Sequence, residues 1–252
     1  MKVIVVGCTH AGTAAIVNLK EIHPKSDVTV YEKNDNISFL SCGIALSVNK
    51  VVTEPEKLFY NSPEGLAKIG VNTKMKHEVT DIDFDNKKVK VKDLTSGKEF
   101  EDNYDKLVLT LGSWPIVPRF EGGNLENIEL CKNYDHAKTI IAKSSNAKNV
   151  VIIGAGYIGV ELVEAFEDLG KKVTLIDAED RIMSKYLDKD FTDIAEKEFS
   201  SRGVNLVLGE KVQKFEGANG KVTKVVTENG SYDGDLVVLC IGFAPNTKLI
   251  KD

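Results

Sequence analysis

Short apolar runs that end in glycine-rich turns recur along the chain. Residues 3–6 form one run, followed at once by the turn 7–12, and residues 150–153 form another, followed by the turn 154–159. Beyond the second turn, apolar side chains recur at helical spacing as far as Gly170, a natural place for a helix to end. The pattern therefore predicts a buried strand, a glycine turn and an amphipathic helix, in that order, at two places.

The elements that follow the two turns also match. After each predicted helix comes an apolar strand that closes on an acid, Glu32 in the first copy and Asp177 in the second. Alternating segments separated by polar turns follow, and each copy ends with an apolar strand that reaches a glycine, Gly112 or Gly242. The same elements in the same order indicate an internal duplication.

The duplication sets the predicted fold class. We expect an α/β protein with two Rossmann-like dinucleotide-binding domains, each combining a parallel sheet with an antiparallel meander. The first domain is expected to span residues 1–115 and the second residues 148–243, with a connecting segment at 116–147 and an exit segment at 244–252. The first copy is the longer one after its acid, and Cys42 lies in its extra segment.

A glycine turn between a strand and a helix can bind the diphosphate of a dinucleotide, because backbone N–H groups and the positive helix end converge there. The second turn has all three glycines, Gly154, Gly156 and Gly159. Asp177 follows where the acid that binds a ribose hydroxyl belongs. That acid favours NADH over NADPH because it would repel a 2′-phosphate, although Arg181 could weaken the preference.

The first turn departs from this pattern at Thr9, which stands where the middle glycine belongs. Glu32 nevertheless supplies a ribose acid at the expected distance. Two adjacent dinucleotide sites in one chain favour a pair of cofactors that exchange electrons, most simply NAD(P)H and FAD.

Two residues of the first copy are candidates for chemistry. Cys42 precedes an apolar stretch that can begin a helix, and a thiol at a helix N-terminus has a lowered pKa. No second cysteine is near it in sequence, so it is either a lone thiolate that cycles through sulfenic acid or a thiol that only packs. His10, inside the first turn, either shuttles a proton or binds backbone or phosphate. Cys8 and Cys240 are interpreted as packing residues.

Composition narrows the class of protein. Lys and Arg number 33 against 38 Asp and Glu, a formal net charge of −5, which disfavours nucleic acid or an anionic membrane as a partner. No apolar run approaches the ~20 residues that cross a bilayer, and the first run is too short for a signal peptide, so a cytoplasmic location is expected. The four cysteines lack metal-ligand spacing and are expected to be free thiols.

Several segments together resemble one family. They are Ser-Phe-Leu-Ser-Cys-Gly at 38–43, Asn-Tyr-Asp-Lys-Leu at 103–107, the second glycine turn through residue 161, Asp-Lys-Asp-Phe-Thr at 188–192 and Gly-Phe-Ala-Pro-Asn-Thr at 242–247. The chain resembles the FAD-dependent pyridine nucleotide-disulfide oxidoreductases, in particular their NADH oxidase and NADH peroxidase branch. Residues 44–46, 130–134 and 239–243 look most like those of water-forming NADH oxidases.

The resemblance implies that Cys42 and His10 are catalytic and that FAD and NADH are the cofactors, with no metal. For FAD it implies Gly7, Cys8, Thr9, His10, Ala11, Gly12, Glu32, Lys33, Cys42, Val79, Thr110, Leu111, Gly112, Ser113 and Lys132. For NADH it implies Ile158, Asp177, Tyr186 and Gly242 beside the three glycines of the second turn, with Tyr157 and Glu161 close to the flavin.

The reaction that the resemblance implies is hydride transfer from NADH to FAD, reduction of O2, and reduction of the resulting peroxide to water by the Cys42 thiolate. The alternatives are an NADH peroxidase, a reductase of coenzyme A disulfides or persulfides, and, in another class, a non-catalytic nucleotide-binding or redox-sensing protein. Members of the family continue with a second FAD segment and a C-terminal dimerisation domain, so we expect this chain to be truncated and its parent to be a homodimer.

Overall fold

A computed structural model of the chain describes residues 1–250. Its helices are α1 (His10–Ile22), α2 (Ile44–Val48), α3 (Pro63–Lys68), α4 (Tyr134–Ser144), α5 (Tyr157–Asp168) and α6 (Lys189–Ser201). Its strands are β1 (Lys2–Val6), β2 (Asp27–Glu32), β3 (Val71–Met75), β4 (His77–Asp83), β5 (Lys88–Asp93), β6 (Glu99–Asn103), β7 (Lys106–Leu109), β8 (Ser113–Pro115), β9 (Ile128–Leu130), β10 (Asn149–Ile153), β11 (Lys172–Asp177), β12 (Asn205–Leu208), β13 (Val212–Ala218), β14 (Lys221–Thr227), β15 (Ser231–Asp233), β16 (Leu236–Leu239) and β17 (Phe243–Pro245). Short 3-10 turns lie at Ser41–Gly43, Pro55–Leu58 and Lys248–Ile250. Within residues 1–250, none of the helices combines the length and the apolar character needed to cross a membrane.

The chain divides into two compact units. The first comprises residues 1–40, 56–114 and the described part of the chain from 245 onward. The second comprises residues 41–55 and 115–244. Each unit carries one of the two glycine turns.

The first unit is built on a parallel sheet in the order β3-β2-β1-β7, together with the antiparallel meander β4-β5-β6. The central strand β1 pairs with β2 from Lys2 opposite Asp27 and with β7 from Val3 opposite Lys106. The carboxyl end of β1 therefore lies between two parallel neighbours, which is where an open α/β sheet binds ligands.

Side chains alternate between the two faces of this sheet because successive residues of a strand point in opposite directions. Val3 and Val5 pack on the same side as Ile16 of α1, in a buried apolar cluster. Ile4 and Val6 belong to a different cluster, which the buried valines of the meander complete. Burial on both faces explains why β1 is apolar at every position after Lys2.

The second unit repeats this architecture. Its parallel sheet has the order β12-β11-β10-β16-β9, and its meander is β13-β14-β15. β10 pairs with β11 from Asn149 opposite Lys172, which matches the pairing of β1 with β2 in the first unit. The order β3-β2-β1-β7 recurs as β12-β11-β10-β16, with β9 added at the edge of the second sheet, and this correspondence confirms the predicted fold class and the internal duplication.

Two segments group differently from the predicted domain boundaries. The expected connecting segment supplies strand β9, at the edge of the second unit's sheet, and helix α4. Residues 41–55 also group with the second unit, because α2 packs against α4 and α5 and buries Ile44, Ala45 and Val48. The apolar stretch after Cys42 therefore forms a helix, as expected, but its packing partners lie far along the sequence.

Candidate functional site

The first glycine turn is tied to the acid that ends the next strand. The backbone N–H of Cys8 donates to Oε2 of Glu32 at 2.7 Å. The other carboxylate oxygen, Oε1, accepts from the backbone N–H of Asn34 at 2.8 Å and from its side-chain amide at 2.6 Å. Glu32 is 3% exposed, so these protein donors rather than water satisfy its carboxylate oxygens.

The second glycine turn has the same arrangement. The backbone N–H of Ala155 donates to Oδ2 of Asp177, and the N–H of Glu179 donates to Oδ1 at 2.8 Å. In both units the acid thus accepts one N–H from the glycine turn and one from the residue two positions after itself. Asp177 is less buried than Glu32 and lines an open cavity.

The glycines of the turns have separate roles. A Cβ on Gly12 or Gly159 would overlap the carbonyl oxygen of the first glycine of its own turn, so these positions allow the helix to approach the strand closely. A Cβ on Gly156 would meet only Cε2 of Tyr186, at 3.8 Å. Packing therefore does not require a glycine at 156, and its missing side chain leaves backbone open to a ligand.

A cavity of about 500 Å³ lies in the second unit beside this turn. Of the predicted residues, Gly154, Gly156, Asp177, Tyr186 and Gly242 line it. Other lining residues were not predicted from the sequence, among them Pro118, Phe120, Met183, Ser184, Glu210 and Lys211. They lie in loops without a motif. Met183, Ser184, Glu210 and Lys211 follow the parallel strands β11 and β12, and only that position could have indicated them.

Arg181 braces the loop that follows β11. One terminal nitrogen of its guanidinium donates to the carbonyl of Leu187 at 2.6 Å, and the other donates to the carbonyl of Ser184 at 2.9 Å. The backbone N–H of Met183 joins the same loop to the carbonyl of Ala155 at 2.8 Å. Each terminal nitrogen of Arg181 thus makes one hydrogen bond within the loop, and the side chain also lines the cavity together with Asp177. Whether it offsets the charge of Asp177 stays a prediction.

Tyr157, the first residue of α5, contacts Tyr186 of the loop between β11 and α6. The rings of Tyr157 and Tyr186 meet edge to face, with centroids 5.5 Å apart. Both remain about half exposed, at 47% and 57%. Ile158 and Glu161 follow on the same helix, and partial burial together with the neighbouring charge of Glu164 raises the pKa of Glu161.

The other residues predicted for FAD in the first unit surround the end of β7. The Thr110 hydroxyl lies 3.0 Å from the carbonyl of Val6 and 2.8 Å from that of Gly7, and donates to this pair of oxygens. Asn246 donates to the carbonyls of Leu111 and Gly112, at 2.8 and 3.0 Å. These contacts fix the backbone just beyond the strand.

The other first-unit residues that the sequence predicts for FAD lie in strands β4 and β8, in the loop after β2 and in the first glycine turn. The Lys33 ammonium lies 5.6 Å from the centre of the Trp114 ring. Val79 is buried in β4, and Ser113 begins β8. Thr9, His10 and Ala11 are exposed where the turn enters α1.

Cys42 and Lys132, also predicted to contact flavin, belong to the second unit. Cys42 is an exposed free thiol within the 3-10 turn Ser41–Gly43, immediately before α2. The Lys132 ammonium lies 4.9 Å from the centre of the Phe243 ring. The predicted FAD residues are therefore divided between the two units.

The other three cysteines are protected thiols. Burial raises the pKa of Cys8 to about 11 and that of Cys131 to about 12, and it raises the pKa of Cys240 well above its usual value. Such thiols stay protonated near neutral pH and are poor nucleophiles. Nowhere in residues 1–250 do three or more His, Cys, Asp or Glu side chains come together as a metal site would need.

Comparison with known proteins places this geometry in a family. The family model described as pyridine nucleotide-disulphide oxidoreductase matches residues 1–252. The chain belongs to this family. Its relatives include an NADH oxidase of Enterococcus faecalis, 56% identical over 253 residues, which covers 100% of this chain and 57% of that protein. They also include an NAD(P)H coenzyme A polysulfide/persulfide reductase of Pyrococcus horikoshii, 38% identical, covering 99% of this chain and 55% of that protein.

Solved oxidoreductase structures agree with the fold. The water-forming NADH oxidase of Lactobacillus brevis bound to NADH has a TM-score of 0.96 and 52% identity, and the match covers 100% of this chain and 56% of that one. An engineered water-forming NADPH oxidase derived from it, bound to NADPH, also gives a TM-score of 0.96, with 51% identity. The chain thus spans just over half the length of these relatives.

Proposed function

We propose that the protein of this chain is an FAD-dependent NADH oxidase. The observation that carries the proposal is a hydrogen bond from a glycine turn to the acid at the end of the next strand, which occurs in both units. The backbone N–H of Cys8 donates to Glu32 in one unit, and that of Ala155 donates to Asp177 in the other. Two such arrangements supply two dinucleotide sites, and the 56% identical NADH oxidase of E. faecalis supports oxidase chemistry for the pair.

NADH is assigned to the second unit. The cavity there offers the open backbone at Gly156 for the diphosphate and the Asp177 carboxylate for a ribose hydroxyl. The same carboxylate would repel a 2′-phosphate, and each terminal nitrogen of Arg181 already donates one hydrogen bond to a carbonyl of its own loop. Tyr157 at the first position of α5 and Tyr186 of the loop after β11 contact each other, and their exposed rings can contact the nicotinamide half.

FAD is assigned to the first unit, and the residues present fit it. Gly12 allows α1 to approach β1, and the start of α1 is exposed, so that the N–H groups a helix leaves unpaired in its first turn are accessible to a diphosphate. Glu32 stands in the ribose position, already oriented by the N–H of Cys8. When bound, the flavin would accept a hydride from NADH and pass electrons to O2.

Cys42 is proposed to reduce to water the hydrogen peroxide that forms from O2. Its thiolate attacks hydrogen peroxide, so that a sulfur–oxygen bond forms, the peroxide O–O bond breaks, and water leaves with the sulfenic acid on the protein. A second NADH supplies the two electrons that return the sulfenic acid to the thiolate, with release of another water. The balance is two NADH, two protons and one O2 to two NAD⁺ and two H2O. His10 is the proposed acid and base for these proton transfers.

Two measurements test this assignment. NADH added without oxygen to the chain loaded with FAD is expected to bleach the flavin absorption. Peroxide is then expected to produce a sulfenic acid that a dimedone-type reagent traps at Cys42, and not in Cys42→Ser. A chain that binds FAD but is not bleached by NADH would contradict the electron path, and trapping at another cysteine would contradict the role of Cys42.

A second reaction of the same class is favoured by the exposure of Cys42. An exposed thiol can also attack an external disulfide or persulfide, and the P. horikoshii relative is a reductase of that kind. NADH loss that depends on coenzyme A disulfide rather than on O2 or peroxide would identify this alternative. A chain that takes up no FAD would instead favour the redox-sensing alternative. Assembly as a homodimer and a cytoplasmic location remain predictions.

A further inference from the structure

His10 has an aromatic partner that no sequence motif indicated. The rings of His10 and Tyr60 stack in the first unit, with centroids 5.7 Å apart and planes 11° from parallel. The Tyr60 hydroxyl lies 3.3 Å from Nδ1 of His10. The residue that the proposed mechanism uses for proton transfer is therefore contacted on its face and at one of its two nitrogens.

The same hydroxyl has a second neighbour, which indicates the direction of the first bond. The Tyr60 hydroxyl donates to the backbone carbonyl of Thr9 at 3.3 Å. A carbonyl oxygen can only accept, whereas a phenol has one proton to donate and lone pairs that accept. With its proton on Thr9, the phenol oxygen accepts from Nδ1–H of His10, and Nε2 is left as the unprotonated nitrogen of the neutral ring.

Tyr60 is held in place by the antiparallel pairing of residues 38–40 with residues 58–61, which we call the ladder. Phe39 and Phe59 form a bridge across it, with ring centroids 5.3 Å apart, and the N–H of Leu40 donates to the carbonyl of Leu58 at 2.9 Å. The buried Ser38 hydroxyl donates to the carbonyl of Asn61 at 2.7 Å and accepts from its N–H at 2.9 Å.

The ladder is also joined to the glycine turn. The backbone N–H of Ser38 donates to the carbonyl of Cys8 at 2.9 Å. Ser38 thus contacts the residue two positions before His10 and the residue after Tyr60. This network limits how far Tyr60 can move relative to His10.

We propose that Tyr60 is a positioning residue that holds His10 in the tautomer protonated at Nδ1, so that Nε2 is the nitrogen that accepts and returns the catalytic proton. This role rests on the proposed function of His10 in proton transfer. The tautomer itself is a property of the chain alone, and it can be measured without FAD, NADH or turnover.

The test is a long-range ¹H–¹⁵N correlation spectrum of the chain labelled with [¹⁵N]histidine, recorded where the His10 ring is neutral. The four histidines give separate patterns, and His10→Gln identifies the pattern of His10. We expect protonated Nδ1 and bare Nε2 at His10 in the unaltered chain. Tyr60→Phe, which keeps the ring but removes the hydroxyl, should shift the population toward protonated Nε2.

The matched control is Tyr134→Phe, the same chemical change in the other unit, which should leave the His10 pattern unaltered. Protonated Nε2 in the unaltered chain would overturn the proposal, even if a variant failed to fold. An unchanged tautomer in a folded Tyr60→Phe would overturn it as well.

Turnover separates this inference from the proposed function. In the FAD-loaded protein, Tyr60→Phe should lower kcat roughly tenfold and leave the KM for NADH unchanged, because acid–base catalysis contributes about 10²–10⁴-fold and only its orientation is lost. A changed tautomer without any NADH oxidation by the FAD-loaded unaltered protein would refute the oxidase assignment alone. A changed tautomer with unchanged kcat would refute the positioning role alone.

Discussion

Replacing Asp177 by Asn tests the nucleotide preference of the second unit. The substitution removes the negative charge that lines the cavity and keeps one side-chain oxygen that can accept from the turn. The carboxylate now accepts from two backbone N–H groups, that of Ala155 in the glycine turn at one oxygen and that of Glu179 in the loop after β11 at the other, so the single oxygen of Asn can keep one of these bonds.

The expected magnitude follows from the charge. Hydrogen bonds to a charged group are worth about 1.5–3 kcal/mol against about 0.5–1.5 kcal/mol for neutral pairs, so NADH affinity should fall roughly tenfold. A carboxylate about 4 Å from a phosphate charge is repelled by about 4 kcal/mol at an effective dielectric constant near 20, and solvent reduces this at a partly open site. Relief of part of that repulsion should raise NADPH affinity roughly tenfold, so the ratio of the two dissociation constants should shift on the order of 10²-fold.

The assay is a titration of the purified chain with NADH and with NADPH, followed by the fluorescence of the reduced nicotinamide. Asp180→Asn is the matched control, because Asp180 is exposed near Asp177 but does not line the cavity. Its ratio of dissociation constants should equal that of the unaltered chain. A folded Asp177→Asn with an unchanged ratio would show that this acid does not face the ribose.

Three further predictions concern the loop, the ladder and a buried thiol. Arg181→Ala should weaken NADH and NADPH by the same factor in the same titration, because the guanidinium holds loop carbonyls; a selective loss of NADPH would show that it binds the 2′-phosphate. Ser38→Ala should lower the free energy of unfolding by about 2 kcal/mol in a urea titration, since it leaves the N–H and carbonyl of Asn61 without this partner, and a loss below about 0.5 kcal/mol would contradict the ladder. For Cys8, burial raises the pKa from 9.0 to about 11, so its contribution to stability is complete below pH 9.0 and is lost as the pH rises to about 11. Over that range the stability of Cys8→Ala should fall by about 3 kcal/mol less than that of the unaltered chain, and parallel curves would refute the burial argument.

The parts of the fold that the sequence predicts well are those that local patterns determine. Strands buried on both faces are apolar throughout, glycines mark turns where a helix approaches a strand, and an acid at the end of the second strand faces the turn. These features recur in both halves, so Glu32 and Asp177 could be identified from position alone, and their bonds to the two turns agree with that position.

The parts that the sequence did not predict depend on contacts between distant residues. The segment around Cys42 groups with the second unit because α2 packs on helices that begin about a hundred residues later. Tyr60 contacts His10 although 50 residues separate them in sequence, and no local periodicity connects the two. The bracing role of Arg181 likewise depends on the path of a loop, which charge and spacing do not specify.

The most direct test of the central claim is the amount of NADH consumed per O2 by the chain supplied with FAD, measured together with Cys42→Ser. Electrons that pass from NADH to FAD to O2, with peroxide removed at Cys42, require two NADH per O2 and no free peroxide. The variant should approach one NADH per O2 and release hydrogen peroxide. Failure of the FAD-loaded chain to oxidise NADH, or the same ratio in Cys42→Ser as in the unaltered chain, would contradict the claim.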